Sequence, residues 1–185
     1  MIRKFLLIPL LLTLLIGQGK VPNVRLKMLD GKYAKLYDLL KDGPMIIDFW
    51  ATWCEPCKKQ MHHLNKFHKH FKDTGFRVLT INTDTPKSMG KVKSYVRSKK
   101  FEFMVAVDPN NQVMKKMRVK LMPTTILVDT DGTIIYRHQG YLPGDERDIL
   151  KHITDYFDKS GIAYEPLNFG ESKNKNKKEK IEVDF

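Results

Sequence analysis

The chain of 185 residues is long enough for one domain with short extensions, and its 42% hydrophobic content suffices for an ordinary globular core. The 33 basic residues outnumber the 21 acidic ones, which gives a formal net charge of +12 at pH 7. Such a charge suits contact with nucleic acids or anionic membranes. No compact motif of interleaved basic and aromatic residues occurs, so we expect no nucleic-acid binding and only weak association with a membrane surface.

Residues 1–19 have the three-part layout of a secretory signal peptide. Arg3 and Lys4 precede an apolar run, Phe5–Ile16, and residues 17–19 are Gly-Gln-Gly, with small residues where a signal peptidase cleaves. The run is shorter than the roughly 20 residues that span a bilayer, although a retained membrane anchor and a buried helix are alternatives. No cysteine follows the run, which excludes a lipoprotein anchor. We expect export to the periplasm or the extracytoplasmic face of the cytoplasmic membrane, where disulfides persist.

Strand-like and helix-like segments alternate after a linker at residues 20–22. Asp30-Gly31 is a strong hairpin signal, and Met45–Trp50 is an apolar run with one acid, typical of a buried central strand. A helix is predicted from about Glu55, because apolar residues recur at every third or fourth position until Gly75 ends the segment. The other predicted strands are Val24–Met28, Lys32–Leu36, Arg77–Thr83, Phe101–Asp108, Thr124–Asp129 and Thr133–Gln139, and the other predicted helices are Tyr37–Lys41, Ser88–Ser98, Gln112–Met117 and Gly144–Phe157.

This order of elements predicts an α/β domain over residues 20–164. A βαβ unit, further α/β segments, a β-hairpin and a closing helix indicate a mixed central sheet with helices on both faces and an N-terminal β-hairpin extension. Apolar residues become rare from Glu165 onward, so we expect residues 165–185 to form a lysine-rich, disordered tail. Only Ile181–Phe185 is apolar enough to dock on the domain.

The two cysteines of the chain, Cys54 and Cys57, lie where the central strand meets the following helix. A disulfide between them closes almost no loop and stabilises little through chain entropy, so we expect its use to be chemical. The free N–H groups and the dipole of the helix N-terminus favour a thiolate on Cys54, and the thiolate is the nucleophile. Cys57 is one helical turn further along, close enough to attack a mixed disulfide formed on Cys54.

Three other uses of the cysteine pair stay open on the residues alone. Zinc is one of them, with help from the nearby histidines His62, His63, His68 and His70. Structural zinc usually takes four ligands from two separated pairs, whereas these histidines share one helix and are expected to face solvent. The other two uses are a purely structural disulfide and a peroxidase with one peroxide-reactive thiol, and no residue around the pair favours either.

The segment Asp48-Phe49-Trp50-Ala51-Thr52-Trp53-Cys54-Glu55-Pro56-Cys57-Lys58-Lys59 resembles the active site of the thioredoxin superfamily. It is most similar to extracytoplasmic reductants of the ResA and TlpA type. Met122-Pro123-Thr124-Thr125 resembles the family's cis-proline loop, and here too a strand, a turn and a strand follow. The resemblance covers about Val24 to Phe157 and implies a thioredoxin fold. Residues 85–117 would supply the strand and helix that proteins of the ResA and TlpA type have in addition to those of minimal thioredoxins.

The resemblance also implies roles for individual residues. Cys54 would attack, Cys57 would resolve the mixed disulfide, and Asp48 would take the proton from Cys57. An extended substrate would lie against Trp53, Met122, Pro123 and Thr124, with no cofactor and no metal.

Two positions depart from the family pattern. A glutamate is common where Gln60 stands, and a proline is frequent where His62 stands. The first departure removes an acid near the thiols, and the second leaves the helix unkinked. Proton transfer would then rest on Asp48 alone.

We expect a monomer that exchanges electrons with protein thiols and disulfides and receives them from a membrane electron donor. The resemblance implies a role in cytochrome c maturation. A carboxylate at Glu55 opposes a thiolate on Cys54, with Lys58 and Lys59 as a partial offset, so we predict a reductant. The alternative is a non-catalytic thioredoxin-like binding or chaperone module, against which the intact cysteine pair argues.

Overall fold

The computed structural model describes residues 19–169, which contain seven β-strands and five α-helices. Residues 1–18 of the predicted signal and residues 170–185 of the predicted tail lie outside the described part. The strands are β1 (Arg25–Met28), β2 (Tyr33–Lys35), β3 (Met45–Trp50), β4 (Arg77–Asn82), β5 (Met104–Val107), β6 (Thr124–Val128) and β7 (Ile134–Gln139). The helices are α1 (Leu36–Leu40), α2 (Glu55–His70), α3 (Met89–Ser98), α4 (Gln112–Lys116) and α5 (Asp145–Ser160).

All seven strands join one mixed sheet in the order β2-β1-β5-β4-β3-β6-β7. The three central strands β5, β4 and β3 are parallel, while β6 and β7 continue the sheet as an antiparallel hairpin. The predicted N-terminal hairpin is confirmed, and its strand β1 pairs antiparallel with β5. Strand β3, which leads to the cysteines, is therefore flanked by β4 on one side and β6 on the other.

Helices cover both faces of the sheet, as the order of elements predicted. Helices α2, α3 and α5 pack on one face with Ile46 and Trp50 of β3, and α1 and α4 pack on the other with Ile47 and Phe49. Because successive residues of a strand point to opposite faces, a strand buried on both faces needs apolar side chains at nearly every position. This requirement explains the apolar run of β3, in which all six residues are buried.

The predicted and observed bounds differ where tertiary packing replaces the local pattern. The segment predicted as Phe101–Asp108 is a strand only over Met104–Val107, because Phe101 stacks on Phe103 at a centroid distance of 4.8 Å and lies outside the ladder. Helix α2 ends at His70. A single 3₁₀ turn, Lys72–Thr74, follows it, and Gly75 ends that turn in a left-handed conformation. Helix α5 continues three residues past the predicted end, to Ser160, and Gly161 then ends it in a left-handed conformation.

Residues 162–169 follow α5 without regular secondary structure, yet they pack on the domain. The ring of Tyr164 lies 5.3 Å from that of Phe157, and the ring of Phe169 lies edge-on to Phe67 at 5.6 Å. These contacts extend the packed chain to Phe169. Within the described residues, no helix has both the length and the hydrophobicity needed to cross a bilayer.

Gly43, in the turn before β3, approaches another turn more closely than any side chain would allow. A Cβ at Gly43 would lie 2.4 Å from the carbonyl oxygen of Gly75, and its φ of +151° is one that L-residues rarely adopt. We therefore expect Gly43→Ala to lower the free energy of unfolding by about 2–4 kcal/mol in urea titrations. Gly90→Ala is the control, because a Cβ there meets no atom within 4 Å. That variant, in helix α3, should be neutral or slightly stabilising, and similar losses at both sites would contradict this account.

Candidate active site

Cys54 and Cys57 form a disulfide at the start of α2, with their Cα atoms 5.3 Å apart. Cys54 is the N-cap residue of the helix, and its Sγ accepts a hydrogen bond from the N–H of Cys57 at 3.3 Å. The same N–H group would donate to a thiolate on Cys54 in the reduced protein, adding to the helix dipole. Cys54 keeps 6% of its surface exposed, whereas Cys57 is fully buried. The geometry thus gives an incoming sulfur access to Cys54 only.

Asp84 fixes the loop that carries the cysteines, a function that the sequence did not reveal. Its carboxylate accepts hydrogen bonds from Thr52 N at 2.7 Å, Thr52 Oγ1 at 2.8 Å and Asn82 Nδ2 at 2.8 Å. Asp84 and Asn82 come at the end of β4, and β3 ends beside it because the two strands are parallel. An acid placed just after a parallel strand was the available signal, since ligand-facing residues gather at this edge of α/β sheets.

The proline loop lies beside the end of β3. The Met122–Pro123 peptide bond is cis, as the resemblance implied. Phe49 pairs with Thr124, which aligns Pro123 with the last residue of β3. The carbonyl of Pro123 accepts a hydrogen bond from Gly140 N at 2.8 Å, so the loop is tied to the end of β7. The proline loop and the loop that carries the cysteines therefore occupy the same edge of the sheet.

The residues expected to bind substrate differ in their exposure. The indole of Trp53 is 70% exposed, and Met122 is partly buried against the core. Thr124 is fully buried and its hydroxyl donates to Leu121 O at 2.7 Å, so its side chain is not available to a substrate. Two exposed apolar side chains that the sequence analysis missed, Leu121 and Leu142, lie on the loops next to the cis-proline.

Asp48 lies at the centre of a buried polar cluster beneath α2. Gln60 Nε2 donates to Asp48 Oδ1 at 2.6 Å and to Thr125 Oγ1 at 2.8 Å, and Thr125 Oγ1 donates to Asp48 Oδ1 at 2.9 Å. All three side chains are fully buried. Burial raises the pKa of Asp48 to about 8, although the hydrogen bonds from Thr125 and Gln60 act in the opposite direction. A carboxyl with this pKa can both accept and return a proton near neutral pH.

Helix α2 carries further charged and titratable groups after Cys54. Lys58 Nζ lies 2.7 Å from Glu55 Oε1, and this hydrogen bond lowers the pKa of Glu55, so the residue after Cys54 stays ionised. His63 and His68 are half-buried, in contrast to the solvated positions expected, and burial lowers the pKa of each.

Within residues 19–169, no three histidine, cysteine, aspartate or glutamate side chains are grouped to hold a metal ion.

The fold and the disulfide at the start of α2 define a thioredoxin-like thiol–disulfide oxidoreductase. The model of the AhpC/TSA family matches residues 17–137, and the chain belongs to that family. Similar curated proteins carry the name thiol-disulfide oxidoreductase ResA. The protein of Bacillus thuringiensis subsp. konkukian (strain 97-27) is 31% identical over 136 residues, which cover 73% of this chain and 77% of the relative. The protein of Bacillus subtilis (strain 168) is 34% identical over 121 residues, which cover 65% and 66%.

A solved structure supports the same classification. The crystal structure assigned to thiol:disulfide interchange protein DsbE from Chlorobium tepidum has 31% sequence identity and a TM-score of 0.69. The match covers 75% of this chain and 96% of that one. Peroxidoxin BcpB from Mycobacterium tuberculosis, at 21% identity and a TM-score of 0.65, shares the fold, with 75% of this chain and 96% of that one covered.

Proposed function

We propose that the protein reduces protein disulfides outside the cytoplasm by dithiol–disulfide exchange. The Cys54 thiolate attacks one sulfur of a substrate disulfide, which forms a mixed disulfide and releases one substrate thiolate. Cys57 loses its proton to Asp48 and attacks Cys54 Sγ, which releases the second substrate thiolate. Two electrons pass to the substrate, and the Cys54–Cys57 disulfide remains. The observation that carries this proposal is the disulfide at the N-terminus of α2, in which Cys54 keeps some exposed surface and Cys57 keeps none.

An insulin-reduction assay with dithiothreitol as the electron source tests this proposal. The protein should accelerate precipitation of the insulin B chain well above the rate with dithiothreitol alone. A rate equal to that background would instead favour a non-catalytic binding module.

Substrate binding is assigned to Trp53, Met122, Pro123 and the main chain of Thr124. An extended segment can lie along the proline loop and hydrogen-bond to its main chain, as in strand addition at a sheet edge. The exposed indole of Trp53 would cover the substrate beside Cys54. The neighbouring Leu121 and Leu142 add apolar area at the same edge.

Removing the Trp53 side chain should weaken binding of protein substrates and leave the thiol chemistry intact. We expect Trp53→Ala to raise KM for a protein disulfide roughly tenfold, because exposed tryptophans at binding sites often contribute more than 1 kcal/mol. Its rate with a small aromatic disulfide should be unchanged. Tyr33→Ala, which removes an exposed aromatic side chain on the edge strand β2, is the matched control. An equal loss with both kinds of substrate would show that Trp53 supports the site and does not bind substrate.

The charges near Cys54 favour a reductant over an oxidant. Strong oxidants of this fold stabilise the reduced thiolate, which makes their disulfide easy to reduce. Here the ionised Glu55 follows Cys54 directly, and Lys58 is in an ion pair with it. The carboxylate opposes a thiolate on Cys54, and the ion pair leaves Lys58 with little net positive charge to offset this effect. A reductant outside the cytoplasm needs electrons, and we assign their supply to a membrane electron donor.

Export rests on residues 1–19, which we assign as a signal peptide or anchor. A domain at residues 20–164 and a tail at residues 165–185 follow, and residues 165–169 of the tail pack on the domain. Similar proteins are named thiol-disulfide oxidoreductase ResA and thiol:disulfide interchange protein DsbE, which supports the same chemistry here. We assign this chain as a monomeric reductant that acts outside the cytoplasm in cytochrome c maturation. N-terminal sequencing of protein from cell fractions tests export. A mature chain that begins near Lys20, or an intact N-terminus in the membrane fraction, is expected. An intact chain in the cytoplasm would contradict export.

A further inference from the structure

We propose that Gln60 is a positioning residue for Asp48: its amide holds Oδ1 of the carboxyl and leaves Oδ2 to carry the proton that Cys57 releases. This inference rests on the proposed role of Asp48 as proton acceptor. Gln60 lies one helical turn after Cys57, and both side chains are buried on the inner side of α2. The amide therefore connects the helix that carries the thiols to the strand that carries the carboxyl.

The contacts of Gln60 fix the orientation of its amide. Nε2 has two protons, and it has two acceptors, Asp48 Oδ1 at 2.6 Å and Thr125 Oγ1 at 2.8 Å. The hydroxyl proton of Thr125 is used on Asp48 Oδ1. A reversed amide would place Oε1 against a carboxylate oxygen and against a hydroxyl whose proton is committed elsewhere. Neither contact is favourable in a site without solvent.

The same contacts make the two oxygens of Asp48 unequal. Oδ1 accepts two hydrogen bonds, whereas Oδ2 has no partner among residues 19–169. An oxygen that accepts two hydrogen bonds has less electron density to offer, so the proton binds to Oδ2. Gln60 Oε1 and Thr80 Oγ1 are also buried without partners in the described part of the chain, and Thr80 pairs with Asp48 in the sheet.

Positions 48 and 60 together hold one carboxyl and one amide. A glutamate at position 60 would place two carboxyl groups at hydrogen-bond distance in a buried site, where one must keep a proton. The exchange Asp48→Asn with Gln60→Glu keeps one carboxyl, one amide and the same number of heavy atoms. If the function lies in this pair, the exchanged pair should retain it.

A stopped-flow experiment with one equivalent of an aromatic disulfide that releases a coloured thiolate tests this inference. The first phase reports attack by Cys54, and the second reports attack by Cys57 on the mixed disulfide. The rate of the second phase should rise with pH as Asp48 ionises. Asp48→Asn should move this rise to higher pH, where Cys57 ionises without a carboxylate base, and should slow the second phase at least about tenfold at pH 8, because general-base catalysis typically contributes more than that.

The Gln60 variants separate positioning from packing. Gln60→Met, which removes the amide and keeps a similar volume, should move the midpoint of the pH profile upward by at least about half a pH unit, since Oδ1 loses a donor. The double variant Asp48→Asn, Gln60→Glu should restore the second phase to within about threefold of the native rate. Gln112→Met, at an exposed position in α4, is the matched control and should leave the profile unchanged.

The outcomes distinguish this inference from the proposed function. An unchanged second phase in Asp48→Asn would overturn the role of Asp48 itself. A slow second phase in Asp48→Asn, together with an unshifted midpoint in Gln60→Met, would leave that role intact and overturn positioning by Gln60. A double variant no faster than Asp48→Asn would likewise overturn it, provided that its urea unfolding transition shows a folded protein.

Discussion

Replacing Cys54 by alanine is expected to abolish protein-disulfide reduction, with a loss on the order of a thousandfold or more in turnover. Of the two cysteines, Cys54 alone keeps exposed surface, and Cys57 is covered by the core. Without Cys54, a substrate disulfide therefore meets no accessible thiolate. Insulin reduction, measured with equal concentrations of the native and variant proteins, checks this loss.

Cys57→Ala should fail at a different step. Cys54 can still attack, but no thiol remains to resolve the mixed disulfide, so the substrate stays covalently bound. Non-reducing gels and mass spectrometry should show these adducts in Cys57→Ala and none in the double variant Cys54→Ala, Cys57→Ala. Adducts on Cys57 in the Cys54→Ala variant, at comparable yield, would mean that the two thiols have the opposite roles.

Asp48→Asn should make the protein more stable at neutral and higher pH while making it a slower enzyme. Burial raises the pKa of Asp48 from an ordinary 3.8 to about 8 in the folded state. Between these values the folded protein holds a proton that the unfolded chain releases, so rising pH favours unfolding. The slope is about 1.4 kcal/mol per pH unit for one such group. Above pH 8 the carboxyl is ionised in both states, and the full cost is present.

Urea titrations of the oxidised proteins between pH 4 and pH 9 check this prediction, because the thiols do not titrate while the disulfide is intact. The native and Asp48→Asn proteins should be equally stable near pH 4 and should diverge by several kcal/mol at pH 8. Asp73→Asn, which neutralises an exposed carboxyl, should follow the native curve. Parallel curves for native and Asp48→Asn would show that Asp48 is ionised in the folded protein throughout.

Such a cost in stability is expected where a buried acid serves catalysis, because selection maintains function and not the maximum stability. The partners of Asp48 limit the cost without removing it. Gln60 and Thr125 supply neutral donors, which favour the carboxylate but add no charge to the core. The pKa of Asp48 is consequently raised to about 8, close enough to neutral pH for the carboxyl both to accept and to return a proton.

The redox pair and most of the fold could be predicted from the sequence, because both depend on local patterns. The apolar run of Met45–Trp50 predicts a buried strand at any position in a chain, and Asp30-Gly31 predicts a hairpin without knowledge of the partners. Cys54 and Cys57 lie at the strand–helix joint, so the helix N-terminus supplies their chemistry from adjacent residues. These features needed no long-range contact.

The parts that were missed depend on residues that are distant in sequence. Gln60 was recognised only as a departure from the family pattern, because its contact with Thr125 joins residues 65 positions apart. Asp84 holds Thr52 across 32 positions, and its motif is a single acid after a strand. Thr124 was expected at the substrate because it follows Pro123, but β6 is buried along its whole length and the Thr124 hydroxyl donates to Leu121 O.

The reduction potential of the Cys54–Cys57 pair measures most directly whether the protein donates electrons to protein disulfides. Equilibration with glutathione or dithiothreitol buffers, followed by alkylation and mass spectrometry, gives the potential from the fraction of dithiol. The ionised Glu55 and its ion pair with Lys58 predict a value nearer to that of thioredoxin, roughly −270 mV, than to that of DsbA, roughly −120 mV. The disulfide form should then be more stable to urea than the dithiol form. A potential near that of DsbA, with the dithiol form the more stable of the two, would contradict a reductant and indicate an oxidant.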